Sequence, residues 1–345
     1  MQDSKEKSIK GNETDLKKDA NIDADKNTNK DANIDADKDT NKEVKKHPTK
    51  IGRWIEIFAF IFLFAVLLKV ISYAIDPIRL NQPEMVVARD RHIVAALAEE
   101  PNSSDVLVVG DSEAMVLVST KILMDEAGIS SYNCNQLGQR TSETYFFLSK
   151  LLEKQNPKVM ILETNVITQD TTFNTEVHLT YNATMQEVFP IMRYHSNWRR
   201  KFGLEEPPEY NAYRGFEEIY VVDPYSGEEY MTATEDRYKV NPIAMYYLDE
   251  VRKLCEEKGI QIILVTSPSA INFNYSKHNT MQDYADKYGL EYIDFNLLQD
   301  EIGLDWSNDT GDAGDHINVY GTEKTTRYLM NYLNENYDLP DHREE

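Results

Sequence analysis

The chain predicts an α/β fold built on a doubly wound parallel sheet of about five strands, and two observations carry that expectation. Short runs, most of them apolar and rich in β-branched residues, recur between residues 105 and 295. Their length suits strands, and the lack of polar alternation suits strands buried on both faces. Between the runs, apolar residues recur at spacings of three and four, as in helices that cover a sheet. The expected strands are Val106–Val109, Ser131–Cys134, Val159–Glu163, Gln261–Val265 and Tyr292–Phe295. The expected helices are Ala114–Glu126, Thr141–Leu152, Pro242–Lys258 and Tyr320–Asn334. In the third of these, Ile243, Tyr247, Leu248, Val251, Leu254 and Cys255 share one face, and Gly259 supplies a C-terminal stop. In the last, Thr326, Leu329, Met330 and Leu333 form the inner face.

One stretch breaks the rhythm. Residues from about 166 to 241 are rich in tyrosine, arginine and glutamate and include Tyr194-His195-Ser196-Asn197-Trp198-Arg199-Arg200. So long an interruption is expected to be a helical insertion that caps the sheet edge or serves as a binding loop. His195 is either a substrate contact or a hydrogen-bonded histidine of a packed helix.

The region before the sheet divides by composition. Residues 1–53 are polar, with almost no aromatic residue, and contain a twelve-residue tandem repeat, DANIDADKNTNK (Asp19–Lys30) followed by DANIDADKDTNK (Asp31–Lys42). So polar a unit cannot bury a core, and a disordered tail is expected. Asp23, Asp25 and Asn27 begin like a calcium loop, but the sixth and twelfth positions hold Thr28 and Ile34 where glycine and glutamate are needed. The second copy fails likewise, with Thr40 and Lys46.

Residues 54–75 are almost wholly Phe, Ile, Leu, Ala and Val. As a helix they would extend about 33 Å, enough to cross a bilayer. Lys69 stands near the far end, within snorkelling reach of headgroups. Lys45, Lys46, Lys50 and Arg53 crowd the near flank, whereas Asp76-Pro77 opens the other. The positive-inside rule then predicts a single-pass cell-membrane protein with a cytoplasmic N-terminus and an extracellular domain. Ser72-Tyr73-Ala74 has the residue pattern of a signal-peptidase site, but the long charged tail and Lys69 favour an uncleaved anchor. Residues 76–104 are expected as a juxtamembrane helical linker, and 105–338 as the α/β domain.

The whole of the net charge of −22 belongs to residues 76–345, with about 46 acidic against about 23 basic side chains. Such a surface disfavours nucleic acid and other polyanions as partners. The two cysteines, Cys134 and Cys255, are too few for a disulfide framework, and two small buried residues are expected.

The chemistry concentrates at two places. Gly110-Asp111-Ser112 ends the first strand, so Ser112 is placed to open the next helix, where unpaired backbone N–H groups can hold a developing oxyanion. Just before the last helix, Asp312-Ala313-Gly314-Asp315-His316 sets a histidine among carboxylates, the pairing that lets an imidazole take and return a serine proton. Ligands of such sheets sit beyond the carboxyl ends of the strands, where both places fall.

Together these residues make the chain resemble the SGNH/GDSL hydrolase superfamily over roughly 105–333. Gly110-Asp111-Ser112 matches the first motif block, Asn135-Gln136-Leu137-Gly138 the second and His316-Ile317-Asn318-Val319-Tyr320-Gly321 the last. The resemblance implies a flavodoxin-like sheet and Ser112 as nucleophile. It also implies His316 as general base, and Gly138 and Asn165 as oxyanion donors beside the Ser112 amide. The third block departs from the family pattern at Glu163-Thr164-Asn165-Val166, which lacks the usual glycine and aspartate. The aspartate expected three residues before the histidine is Ala313, leaving Asp312 or Asp315 to complete the triad.

A single anchor with an external domain further resembles the membrane-attached members of Gram-positive envelopes. That likeness implies a serine esterase or O-acyltransferase acting on ester, chiefly acetyl, groups of a cell-envelope polysaccharide. A membrane O-acyltransferase is the implied partner, and no metal or organic cofactor is implied. The alternative is a non-catalytic protein of the same shape that binds a glycan or the acyltransferase, as the altered third and last blocks and the aromatic insertion suggest. A signalling role for the repeat has only the repeat behind it.

Overall fold

The computed structural model describes residues 50–207 and 212–343; of the tail expected at 1–53, residues 1–49 with the repeat lie outside the described residues, and residues 50–53 are not tail but the first turn of an apolar helix, Lys50–Ile75. Five parallel strands, β1 (Val106–Gly110), β2 (Ser131–Asn135), β3 (Val159–Glu163), β4 (Gln261–Thr266) and β5 (Glu291–Asp294), form one sheet in the order β2-β1-β3-β4-β5. This is the doubly wound α/β fold expected from the sequence. Side-chain alternation explains its two cores. Leu107, Val109, Met160, Leu162, Ile262 and Leu264 pack on one face, under the helices Ala88–Ala98, Thr141–Leu151, Pro242–Lys258 and Tyr275–Tyr288. Val106, Val108, Val159, Ile161, Ile263 and Val265 pack on the other, under the helices Thr120–Ala127 and Val319–Asn336. Each fully buried Val, Leu or Ile contributes about 1.5–3 kcal/mol of transfer free energy, which is why the central strands are apolar on both faces.

Register fixes where chemistry can occur. Gly110 pairs with Asn135, Glu163 with Val265 and Thr266 with Asp294, so the carboxyl ends of the strands stand in one row. The chain crosses from one side of β1 to the other between β2 and β3, which opens a crevice beyond β1 and β3. Gly110 allows the close fit there. A Cβ at this position would lie 2.7 Å from Ala114 Cβ and 2.8 Å from Glu163 Cβ.

Several elements differ from expectation. The single helix expected over 114–126 is two, Ser112–Leu117 and Thr120–Ala127, because Val118 is extended and Ser119 caps the second by accepting from the Ile122 amide. An unexpected helix, Tyr275–Tyr288, joins β4 to β5. Among the described residues the insertion is helical only in its first half, through Phe173–Val188, Ile191–Tyr194 and Asn197–Lys201. Part of its second half lies along the histidine loop: Asp223 N donates to Thr310 O, Ala313 N to Asp223 O, and Val319 N to Ile219 O. In the stretch expected as a linker, the helix Ala88–Ala98 lends Ile93, Ala96 and Leu97 to the first core.

The helix Lys50–Ile75 is long and apolar enough to cross a membrane, with a mean hydropathy of 2.5 over its best 18 residues. Nearly all its large apolar side chains are exposed. Cys134 and Cys255 are both buried and free, as expected, and burial pushes both thiols up in pKa.

Candidate active site

Ser112 is the first residue of the helix Ser112–Leu117 and is half-buried at the end of β1. Asp111 holds it there. Its Oδ1 accepts from the Glu113 amide at 3.0 Å, and its Oδ2 accepts from Asn165 Nδ2 at 2.9 Å and Gln169 Nε2 at 2.5 Å. The carboxylate thereby caps one helix and ties it to the turn that follows β3. Asn165 is thus beside Ser112, with its side-chain amide engaged by Asp111 and its backbone N–H donated to Glu163 Oε2 at 2.8 Å. Gly138 lies in the exposed turn after β2 with φ +61°, and a Cβ there would meet nothing within 4 Å, so space adjoins its backbone.

The histidine is held by its own loop. Ala313 and Gly314 have φ of +56° and +94°, a left-handed pair that turns the chain back within four residues. Asp312 therefore faces residue 316, where its Oδ1 accepts from the His316 amide at 2.6 Å and its Oδ2 lies 2.7 Å from Nδ1. Asp315 Oδ1 is 3.7 Å from Nδ1 and accepts from Asn272 Nδ2 instead. Of the two aspartates the sequence leaves open, Asp312 is the one the loop brings to the ring. That contact assigns the proton to Nδ1 and the lone pair to Nε2. Nε2 is buried and finds no hydrogen-bond partner among the described residues, so no bond to Ser112 is made in this structure. Catalytic hydrogen bonds are often loose in structures without substrate. The backbone around the ring is fixed: Gly311 N and Thr310 Oγ1 both donate to His316 O.

Beneath these groups lies a cluster that sequence reasoning missed. Glu113 and Glu163 are both almost wholly buried, and each has one carboxyl oxygen without a hydrogen-bond partner among the described residues. Burial is the main cause that holds both well above the usual glutamate range, and neighbouring carboxyls add to it. Burial also raises Asp111, against the opposing pull of its hydrogen bonds and of His316. Asn272 Nδ2 bridges Glu113 Oε1, at 2.9 Å, and Asp315. Lys277 is buried nearby, donates to Asn272 O at 2.7 Å, and is lowered in pKa by desolvation. Glu113 was visible as the neighbour of Ser112, and Glu163 as a carboxylate closing an apolar run. Asn272 and Lys277, in the loop after β4 and the helix beyond it, carried no signal in sequence.

Glu113, Asp315 and His316 place ligand atoms within 4.8 Å of one another, close enough for a cation. Asn272 already donates to both carboxyls, so what the geometry displays is an amide bridge. His195, exposed and 3.3 Å from the Met192 carbonyl, ends a short helix of the insertion.

No protein-family model matches the chain, and no curated protein does. Among solved structures it is similar to an acetyl xylan esterase from the rumen bacterium Butyrivibrio proteoclasticus, at 11% identity and a TM-score of 0.31, over 68% of this chain and 64% of that one. The match thus spans less than two thirds of that enzyme's length, and a likeness so distant leaves fold and chemistry to rest on the geometry of this chain.

Proposed function

We propose that the chain is a membrane-anchored serine esterase or O-acyltransferase that acts on acyl esters, chiefly acetyl, of a cell-envelope polysaccharide. The observation that carries this reading is that the carboxyl ends of the strands hold both a helix-opening serine and a histidine whose Nδ1 is held by Asp312, with His316 within 4.8 Å of Glu113, the residue next to Ser112. In the mechanism, Ser112 Oγ attacks the ester carbonyl while His316 Nε2 takes its proton. The imidazolium then returns the proton to the leaving alcohol, and the acyl group stays on Ser112 until water or a sugar hydroxyl removes it. Asp312 keeps the ring in the required tautomer and offsets its positive charge. The Ser112 and Gly138 amides are the proposed oxyanion donors, and Asn165 acts at the same place if its amide leaves Asp111 in the acylation step. The apolar helix supports an anchored protein, and its basic flank supports an outward-facing site. A membrane O-acyltransferase is the proposed donor partner.

The unpartnered His316 Nε2 favours one competing reading, a non-catalytic binding protein of the same shape. Fluorophosphonate labelling of the detergent-solubilised full chain separates the two. Labelling that disappears in Ser112→Ala and falls sharply in His316→Ala is the expected result. A folded chain that takes up no label would favour the binding protein.

A further inference from the structure

We infer that the segment 190–204 is a second membrane contact, a foot seated in the outer-leaflet interface beside the spanning helix. This inference rests on the reading of Lys50–Ile75 as a spanning helix and goes beyond it.

Three observations converge on the segment. The first is attachment. Ile191 N donates to Ser72 Oγ at 3.0 Å, and Lys69 Nζ lies 5.4 Å from the centre of the Phe189 ring. Ile75, the last residue of the apolar helix, packs with Tyr194 against Val86 and Val94, and Arg200 Nη1 donates to Met85 O at 3.1 Å. The segment is therefore fixed at the level where the apolar helix ends, which is where a bilayer surface must be. The second is exposure. Trp198 is 47% exposed, Phe202 73% and Leu204 63%. Three large apolar side chains on one short stretch are costly to leave in water. Tryptophan and phenylalanine are also side chains that amphipathic surface segments bury at the headgroup boundary.

The third is charge. Residues 76–345 hold about twice as many acidic as basic side chains, yet 190–206 contains Arg193, Arg199, Arg200 and Lys201 against Glu205 and Glu206. Arg199 and Lys201 are exposed and lie in sequence between Trp198 and Phe202, with Arg199 Nε 3.1 Å from Glu205 Oε1. Exposed cations between two aromatic residues are suited to an anionic lipid surface. A protein docking on an acidic domain would gain from the same patch only locally, whereas a bilayer is continuous with the helix the patch already touches. The occupant is therefore the lipid surface.

The test uses the full chain in vesicles of phosphatidylcholine and phosphatidylglycerol. An environment-sensitive fluorophore is placed at Phe202→Cys, at Leu63→Cys within the apolar helix, and at Glu335→Cys as an exposed reference; the native cysteines are buried. Nitroxide lipids labelled near the headgroup should quench position 202 at least about twofold more than position 335, and lipids labelled deep in the acyl chain should quench position 63. Arg199→Glu with Lys201→Glu should weaken quenching at 202 and leave 63 unchanged. Quenching at 63 with none above reference at 202 overturns the foot while leaving the anchor intact. No quenching at 63 removes the anchor, and the foot with it. Position 202 shielded from aqueous iodide yet unquenched by lipid would mean a protein occupant and would equally overturn the inference.

Discussion

Ser112 and His316 are held by opposite means. The serine stands on a buried floor, where Asp111 caps its helix and Glu113 and Glu163 lie desolvated beneath it. The histidine stands on an exposed loop, where two residues of positive φ bring a solvent-facing aspartate, 46% exposed, to its ring. The serine end therefore depends on packing and on carboxyls whose pKa burial raises, while the histidine end depends on backbone conformation and one exposed aspartate. Position is fixed by the first and proton handling by the second.

Removing each partner in turn should break that contrast in order of size. Ser112→Ala deletes the nucleophile and should lower esterase turnover on a p-nitrophenyl ester by at least about 10³-fold without moving the melting temperature. Asp312→Asn leaves the loop but offers Nδ1 a different partner, so the tautomer is no longer enforced. A loss of about 10²-fold in kcat is expected, less than for a buried aspartate because solvent already weakens this one. Asp315→Asn, whose carboxyl is engaged by Asn272, should cost under about tenfold. Equal losses in the two aspartate variants would mean that the ring changes partner during turnover.

A backbone change should disturb the serine end alone. Gly110→Ala forces a Cβ against Ala114 and Glu163, neither of which can move without shifting β3 or the helix that carries Ser112. A destabilisation of about 1–3 kcal/mol is expected, read from denaturant midpoints, with labelling of Ser112 slowed even in the folded fraction.

The same contrast explains what was legible in sequence. Val106–Val109 and Val159–Glu163 announced themselves because central parallel strands must be apolar on both faces, and their ends located Ser112 and Asn165. The helix Tyr275–Tyr288 did not, because it buries only Lys277, Met281, Tyr284 and Ala285, too thin a stripe to show a period. The break at Val118-Ser119 was readable in principle, since Ser119 is an N-cap residue, but the apolar residues on either side mask it. The choice between Asp312 and Asp315 was not readable, because it turns on the φ of Ala313, a residue that seldom adopts a left-handed conformation. The buried floor was hidden for another reason. A glutamate looks the same in sequence whether it faces water or three other carboxyls.

That floor makes the smallest and most specific prediction. Glu113 has an ordinary pKa of 4.5 in the unfolded chain and a raised one in the fold. Above about pH 4.5 the unfolded state therefore binds fewer protons than the native state, and stability must fall as pH rises towards the native value. Below that pH both states are protonated and the dependence vanishes. Glu113→Gln keeps a carbonyl for Asn272 and cannot ionise, so as pH rises above about 5 its stability should decline less steeply than wild type. The slope that remains belongs to Glu163 and Asp111, whose raised values have the same cause. Thermal melts of wild type and Glu113→Gln across this range are the measurement, and parallel curves would show that Glu113 is ionised at neutral pH. In that case Ser112 would face fixed negative charge, and formation of an oxyanion beside it would be opposed by its own foundation.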